Sequence, residues 1–404
     1  FGDYDHDGFL DLYVPNYVVY DLDSLEMMQK DSKRAGQAIP SALNPHVFEP
    51  QDNILYHNNG DGTFTDVTEE SDVGGASWSS SAAFFDYNRD GHLDLYVVNY
   101  VRYPLDVPYP PCDGDGFRTY CHPLFFKGAP DRLYRNNGDG VFVDATEAAG
   151  IKGIGGLFHG KGLGVVAADF NNDSNPDLYV ANDYGRNNLF RNDGGHFVDV
   201  AAQAGVQDIA SGMSVSWADY NRDGLMDLYV GNMFSAAGNR VAYQRQFAPD
   251  SPVSTVDNLR RTARGNTLFA NAGDGTFQDT SEMANVTMGR WAWSSKFADL
   301  NNDSWPDIVV ANGFGASQSI HPDRRNLVPD PEGAGIAQAI ESALRDASIG
   351  PERIDLIVPL GLGLSETDRA EAEALRGVFG DRLGQVPLVS TKPTVGNCGA
   401  GAGA

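Results

Sequence analysis

The sequence is poor in basic residues, in cysteine and in long apolar runs, and each shortage excludes a class of protein. Lys and Arg number 29 against 55 Asp and Glu, which gives a net charge of −26. Because nucleic-acid binding needs clustered basic side chains, we expect no nucleic acid as a partner. No run of about 18 apolar residues occurs, so we expect no membrane span. Three cysteines are too few for a disulfide-rich scaffold, although Cys112 and Cys121 are close enough in sequence to pair.

The sequence also lacks the motifs of common enzyme classes. Its eight histidines form no H-E-x-x-H pair, and no G-x-S-x-G segment occurs. The run Gly361-Leu-Gly-Leu364 lacks the third glycine of a dinucleotide-binding loop. Cys398 has no nearby histidine to act as a base, since His321 is the nearest in sequence. We therefore assign no catalytic residue and no organic cofactor.

Glycine and acidic residues are abundant, and both are concentrated in a repeated motif. The pattern D-x-[DN]-x-D-[GS]-x-x-D, followed by an apolar strand, occurs five times, with first residues 3, 86, 169, 219 and 299. Acid or amide side chains recur at loop positions 1, 3, 5 and 9. These positions give the predicted metal ligands, which are Asp3, Asp5, Asp7, Asp11, Asp86, Asn88, Asp90, Asp94, Asp169, Asn171, Asp173, Asp177, Asp219, Asn221, Asp223, Asp227, Asp299, Asn301, Asp303 and Asp307.

Coordination chemistry explains why oxygen-bearing side chains occupy this spacing. Alternate positions of a tight loop project oxygens inward, position 7 offers its carbonyl, and about six hard oxygens are what Ca²⁺ requires. The alternatives are a polar turn without metal and an EF-hand. Five copies in one register argue against a polar turn without metal. An apolar strand follows each loop where an EF-hand would have a helix, which argues against an EF-hand. We predict up to five structural Ca²⁺ ions, bound more weakly where Ser174 and Ser304 replace Gly.

A second pattern, N-x-L-[YF]-x-N-x-G-D-G-x-F-x-D, alternates with the first, at residues 53–66, 131–144 and 266–279, and in a shortened form at 188–199. Each copy predicts two short strands joined by a Gly-Asp-Gly turn, where glycine supplies positive φ. One acidic-loop hairpin plus one such hairpin makes a four-stranded unit, the size of a propeller blade. We count four complete units and half of a fifth. Among the insertions, only Leu22–Ala35 has a helical pattern.

These two motifs resemble the FG-GAP or VCBS-type repeat family of calcium-loaded propeller blades. The resemblance covers residues 1–318 and implies a mainly β fold, an incomplete β-propeller of four to five blades. It also implies a secreted or cell-surface adhesion module, whose propeller face binds a protein or glycan ligand. Aromatic residues before the loops, among them Trp217 and Trp293, are expected to pack between blades.

Beyond a junction at residues 319–327 the pattern becomes α/β. Helical spacing at Pro331–Ser348 is followed by a buried-strand pattern at Ile354–Val358. A second helix is predicted at Ser365–Phe379, and a short strand at Val386–Val389. The chain therefore ends in a small α/β segment that is not another blade.

Residues 328–404 resemble the C-terminal, thiolase-like domain of β-ketoacyl synthases, in segments such as Ser390-Thr-Lys392-Pro-Thr-Val-Gly396. That family uses two histidines to assist malonyl decarboxylation and to stabilise the developing oxyanion. Leu360 and Asn397 stand at their places here, so the resemblance implies a catalytically degenerate fragment. The alternative is an acyltransferase-related role in fatty-acid or polyketide synthesis, as a β-ketoacyl synthase or as the chain-length partner of a working synthase.

The two parts imply opposite compartments, because propellers of this kind are exported whereas ketoacyl synthases act in the cytoplasm. Both ends also look cut, since Phe1 begins inside a repeat motif and the chain stops in a glycine-rich stretch. We hypothesise that two genes are joined between Gly313 and Pro329. One continuous, in-frame amplicon across that junction from genomic DNA would contradict this.

Overall fold

The computed structural model describes two compact units, Phe1–Gly313 and Phe314–Ala404. The predicted boundary at residue 318 stays a prediction. The described residues are 1–16, 33–34, 37–38, 51–75, 77–102, 113–114, 117–118, 126–151, 160–312, 333, 336–337, 340–341, 344–345, 349–354, 357 and 365–388.

Short strands dominate the first unit. In chain order they are β1 Leu12–Val14, β2 Lys33–Arg34, β3 Gln37–Ala38, β4 Ile54–Asn58, β5 Phe64–Asp66, β6 Ser79–Phe85, β7 Asp94–Asn99, β8 Val101–Arg102, β9 Asp113–Gly114, β10 Phe117–Arg118, β11 Lys127–Gly128, β12 Arg132–Asn136, β13 Phe142–Asp144, β14 Gly162–Ala168, β15 Asp177–Asn182, β16 Asn188–Asn192, β17 Phe197–Asp199, β18 Gly212–Ala218, β19 Asp227–Asn232, β20 Thr267–Asn271, β21 Phe277–Asp279, β22 Ala292–Ala298 and β23 Asp307–Asn312.

Antiparallel sheets repeat along this unit in the predicted order. Three sheets have four strands each, in the orders β6-β7-β12-β13, β14-β15-β16-β17 and β18-β19-β20-β21. The first sheet has three strands, β1-β4-β5, and β22 pairs with β23. Of the four units predicted as complete, three have four strands within the described residues, and the first has three strands preceded by a bridge between Gly2 and Asp11. Three further two-stranded pairs lie in insertions within the first two units, β2-β3 between β1 and β4, and β8-β11 and β9-β10 between β7 and β12.

Neighbouring sheets pack face to face, which makes the arrangement propeller-like and confirms the predicted mainly β fold. The first strands contact one another in sequence, β6 with β14, β14 with β18, and β18 with β22. The second strands β7, β15 and β19 are buried along their whole length. Three hydrophobic clusters fill the spaces between successive sheets. The first four sheets therefore bury apolar faces against one another in sequence, as in other repeat proteins.

The aromatic residues before the loops follow the prediction in one case and depart from it in another. Trp217 is buried between two sheets, with its ring centroid 6.3 Å from that of Tyr179 and 6.0 Å from that of Phe277. Trp293 is 44% exposed, so the prediction that it packs between blades was wrong.

Helices occur mainly in the insertions and in the second unit. They are α1 Thr68–Ser71, α2 Ala201–Ala204, α3 Ala236–Ala242, α4 Val253–Arg264 and α5 Ser365–Phe379, with 3-10 turns at Pro351–Arg353 and Gly380–Gln385. The sequence pattern missed α3 and α4. Arg261 of α4 holds this hairpin to the sheets, because it donates to Asp208 at 3.1 Å and to Asp279 at 2.8 Å. Of the predicted helix at Leu22–Ala35, only Lys33–Arg34 are described, and they form a strand.

The second unit has the predicted α/β character where it is described. Helix α5 has the predicted bounds, and Ile357 forms a parallel bridge with Leu388. Among the described residues, no helix combines the length and the apolar character needed to cross a bilayer.

Candidate metal centres

The acidic loops connect the first and second strands of the sheets, and their backbone turns through two left-handed residues. Position 4 has a φ near 60° in all five loops, at His6, Arg89, Asn172, Arg222 and Asn302. Position 6 has a φ near 90° where it is Gly8, Gly91 or Gly224, and near 70° where it is Ser174 or Ser304. A serine in this region carries a strain that glycine avoids. This backbone strain is a physical reason to expect weaker ion binding in the two loops with serine, which stays a prediction.

The carboxylate at position 1 organises each loop from within. In the second loop, Asp86 accepts the backbone N–H groups of Asp90 at 3.2 Å and of Gly91 at 2.9 Å. The third, fourth and fifth loops repeat this pair of bonds. The aspartate is therefore held by the backbone before any ion binds, and its position is set in advance.

The aspartate at position 9 is a structural anchor, which the sequence reasoning missed. Asp94 is fully buried and accepts the N–H of Tyr87 at 3.1 Å and that of Asn136 at 2.9 Å. The second bond joins the loop to the third strand of its sheet. Asp11, Asp177 and Asp227 are also fully buried and make the same two kinds of bond. Burial raises the pKa of Asp94 and Asp177 to about 7, and that of Asp227 to about 6.

In the three four-stranded sheets, an asparagine at the end of the third strand connects neighbouring sheets. The Asn136 side-chain amide donates to the carbonyl of Tyr4, in the preceding loop, at 2.8 Å. Asn192 and Asn271 reach Tyr87 and Phe170 of their preceding loops in the same way, at 2.7 and 2.8 Å. The first, second and third acidic loops therefore each bond to the hairpin of the following sheet.

The residue at position 3 distinguishes the first loop, where it is an aspartate, from the other four, where it is an asparagine. In those four, the asparagine amide donates to the position 5 carboxylate at 2.8 to 3.0 Å, as Asn88 does to Asp90. In the first loop position 3 is Asp5, so carboxylate oxygens of Asp3, Asp5 and Asp7 gather within 4.8 Å of one another. One oxygen of Asp3 is buried and has no hydrogen-bond partner. Like charges this close, with an unpaired buried oxygen, fit a bound divalent cation.

A histidine that the sequence reasoning did not single out faces the first loop. His57 of β4 places Nδ1 3.2 Å from an Asp5 oxygen and 3.3 Å from an Asp11 oxygen. Its Nε2 lies 4.0 Å from Asp7. The signal for it in the sequence is its place one residue before Asn58 in the second repeat motif.

The second repeat motif is confirmed in its turn and corrected in its register. Gly138 and Gly140 both have positive φ, as the Gly-Asp-Gly turn predicts. The third copy begins at Asn187 and not at residue 188, because Asn187 Oδ1 accepts the N–H of Asn182 at the end of the second strand. Asp131 and Asn266 make the equivalent bond in the neighbouring sheets.

Several residues singled out in the sequence lie outside the described residues. These are Cys112, Cys121, His321, Leu360, Lys392, Asn397 and Cys398. The predicted helix at Pro331–Ser348 is described only in part, and residues 336–337, 340–341 and 344–345 are helical.

Comparisons with known proteins match both parts of the chain. The family model described as FG-GAP-like repeat matches residues 46–97, 124–180, 169–230 and 255–310, more than half of the chain. The model described as beta-ketoacyl synthase, C-terminal domain, matches residues 312–404. Both resemblances predicted from the motifs are confirmed by these matches.

Individual relatives match only short stretches. The chain is 38% identical over 92 residues to 3-oxoacyl-[acyl-carrier-protein] synthase 2 of Coxiella burnetii, which is 23% of this chain and 22% of that protein. It is 41% identical over 64 residues to human cartilage acidic protein 1, 16% of this chain and 9% of that protein. The chain thus spans less than a quarter of either relative. Among solved structures, a rhamnogalacturonan lyase of Bacillus licheniformis aligns over 76% of this chain and 56% of its own, with 16% identity and a TM-score of 0.30.

Proposed function

Since this chain belongs to the FG-GAP-like repeat family and ends in a β-ketoacyl synthase C-terminal-like segment, we propose that its repeats form a calcium-stabilised interaction module. The module would act outside the cell or at its surface and bind a protein or a glycan. The predicted ligands are the position 1, 3, 5 and 9 residues of the five loops, and the ions are structural.

The unpaired buried oxygen of Asp3, among the carboxylates of the first loop, supports the proposal that the acidic loops hold divalent cations. A carboxylate oxygen removed from water needs a cation or a donor, since leaving it unpaired costs free energy. Hard oxygen ligands without sulfur favour Ca²⁺ or Mg²⁺. The adhesion part draws support from exposed apolar side chains on the α3–α4 insertion, where Tyr243 is 57% and Val253 is 76% exposed. Insertions on a rigid repeat array commonly carry recognition.

Equilibrium dialysis of the ion-stripped full chain with radioactive Ca²⁺ tests the calcium proposal. We expect up to five ions per chain, and one fewer in the double variant Asp86→Asn, Asp90→Asn. The matched control is Asp61→Asn, which changes an exposed carboxylate of a Gly-Asp-Gly turn and should leave the count unchanged. Failure to bind Ca²⁺ at all would sink the proposal.

The interaction role needs a separate experiment. The immobilised chain would be exposed to a glycan array and to extracellular-matrix proteins, in Ca²⁺ and in chelator. We expect saturable binding that weakens at least about tenfold in chelator, because the loops support neighbouring sheets. If the chain binds Ca²⁺ but no glycan and no matrix protein, the proposal of structural ions is retained. The interaction role is then rejected for those two classes of partner.

We further propose that the C-terminal segment is catalytically inactive. At the places of two family histidines the sequence has Leu360, which can neither donate a hydrogen bond nor carry a proton, and Asn397. We expect release of CO₂ from malonyl carrier protein at the uncatalysed rate, measured with radiolabelled substrate beside an intact synthase. Decarboxylation clearly above that rate would overturn this.

The match of residues 312–404 to the synthase family favours one alternative, a role beside a working ketoacyl synthase. In that case a complete synthase should be retained on the immobilised full chain and released by deletion of residues 328–404. Retention that survives the deletion would contradict this role for the segment.

A further inference from the structure

The environment of His57 differs from that of an ordinary surface histidine. Its Nδ1 atom has no solvent access and no hydrogen-bond partner. Carboxylate oxygens of Asp5 and Asp11 lie 3.2 and 3.3 Å away, and Asp11 is fully buried. The buried nitrogen therefore belongs to the same cluster as the loop carboxylates.

Strand pairing explains how His57 reaches the loop. Leu12 pairs with Tyr56, so Asp11 and His57 stand opposite each other one step further along β1 and β4. The corresponding residues in the next three sheets are Arg135, Arg191 and Ala270. The Arg191 side chain forms an ion pair with Asp193 of its own hairpin, with Nε 2.7 Å from the carboxylate. Among the described loops, only the first has an imidazole at this place.

The distances around His57 fit a shared ion. Two ligand atoms at right angles on an ion with bonds of roughly 2.1–2.2 Å lie about 3.0–3.1 Å apart. The two Nδ1–oxygen separations are close to that value. One imidazole and oxygens from Asp5 and Asp11 lie within 4.8 Å of one another, as do oxygens of Asp3, Asp5 and Asp7.

We propose that the first acidic loop is a mixed carboxylate–imidazole site, in which His57 joins the aspartates as a ligand and shifts preference from Ca²⁺ to Mn²⁺ or Zn²⁺. The inference rests on the proposed function, since it requires that the loops hold divalent ions. Calcium takes oxygen ligands, whereas imidazole suits first-row transition metals and zinc. The other loops, which have no imidazole at the place of His57 among the described residues, keep the calcium preference.

Mn²⁺ is the probe, because oxygen sites accept it and its unpaired electrons report a bound nitrogen. The ion-stripped full chain with one equivalent of Mn²⁺ should show ¹⁴N coupling from imidazole in pulsed electron paramagnetic resonance. Zn²⁺ should abolish the signal at lower concentrations than Ca²⁺. In His57→Ala we expect the nitrogen coupling to vanish and Mn²⁺ affinity at this loop to fall at least about tenfold, with Ca²⁺ binding at the other loops unchanged.

A gain-of-site variant tests the same ligand geometry in a second loop, and it remains informative if His57→Ala does not fold. Ala270→His with Asn221→Asp rebuilds the first loop's ligand set in the fourth loop. This double variant should bind a second Mn²⁺ with nitrogen coupling, whereas Asn221→Asp alone should not.

The outcomes separate this inference from the proposed function. Ca²⁺ and Mn²⁺ bound without nitrogen coupling would overturn the inference and leave the loops as oxygen-only sites, with His57 as an ion-pair partner. Absence of Ca²⁺ and Mn²⁺ binding would sink the proposed function as well. Nitrogen coupling that persists in His57→Ala would assign the signal to another histidine and also overturn the inference.

Discussion

Removal of divalent ions is expected to lower the midpoint of thermal unfolding of the repeats by more than about 10 °C. An ion at a hundred times its dissociation constant stabilises a fold by about 2.7 kcal/mol, and one kcal/mol shifts the midpoint by roughly 2 °C in a unit somewhat larger than 250 residues. Several loops contribute, and the first three are bonded to the following sheet through Asn136, Asn192 and Asn271. The measurement is circular dichroism on heating, in Ca²⁺ and in chelator.

Two variants of the third loop separate metal binding from structural anchoring. Asp173 is exposed and is the predicted position 5 ligand, so Asp173→Ala should lower the midpoint in Ca²⁺ and have little effect in chelator. Asp177 is fully buried and accepts the N–H groups of Phe170 and Asn192. Because Asp177→Ala leaves both donors unpaired, we expect a loss of about 3–5 kcal/mol that persists in chelator.

The two variants also define the result that contradicts this view. An unchanged midpoint in chelator would mean that the loops are polar turns without metal. Equal behaviour of Asp173→Ala and Asp177→Ala in chelator would mean that the position 9 aspartate has no anchoring role of its own.

Asp131→Asn is expected to stabilise the protein at pH 8 by about 2 kcal/mol and to lose that advantage near pH 4. Asp131 is 1% exposed, and burial raises its pKa from 3.8 to about 7. It accepts the N–H of Asn99 at 2.9 Å and the hydroxyl of Tyr96 at 2.9 Å. The charge it carries above pH 7 is therefore held away from water with no cation among its bonded partners.

The direction of the pH dependence follows from proton binding. Between pH 4 and pH 7 the folded protein keeps the proton on Asp131, whereas the unfolded chain has lost it. The contribution of this group to stability is therefore present at low pH and declines as the pH rises toward 7. A shift of this size corresponds to at most about 4 kcal/mol, and relaxation of the fold reduces it.

The neighbouring sheets show that an amide is accommodated at this place. Asn187 accepts the N–H of Asn182 and donates to the Tyr179 hydroxyl at 3.0 Å. Tyr179 in turn donates to the carbonyl of Val206 at 2.8 Å. Asn266 and Tyr229 repeat the arrangement at 2.7 Å. Ile151 corresponds to Val206 in its backbone bonding, so in Asp131→Asn we expect the Tyr96 hydroxyl to donate to the Ile151 carbonyl.

The matched reverse variant is Asn187→Asp. It should destabilise the protein at pH 8 by a similar amount and be nearly neutral at pH 4. The measurement is urea unfolding at both pH values, with Ca²⁺ saturating. Equal free energies of unfolding for Asp131→Asn and the parent at pH 8 would show that the buried carboxylate carries no cost.

Much of the repeat unit could be predicted because its information is local. The alternation of Leu, Tyr and Val in β7, β15 and β19, the glycines of the turns and the spacing of the acidic loops all act within one hairpin. Helix α5 was predicted with its bounds for the same reason. Helices α3 and α4 were missed, because their stability depends on Arg261 meeting Asp208 and Asp279 from other segments.

The sequence by itself determined that this chain is a repeat protein with five carboxylate-rich loops in one register, followed by a segment of another family. Only the tertiary structure decided what the individual side chains do. It placed His57 against Asp11 through strand pairing, and it gave Asp94 and its equivalents two backbone donors from different elements. Position in a motif specifies residue type, whereas burial and partners depend on chain segments that meet only when the sheets have formed.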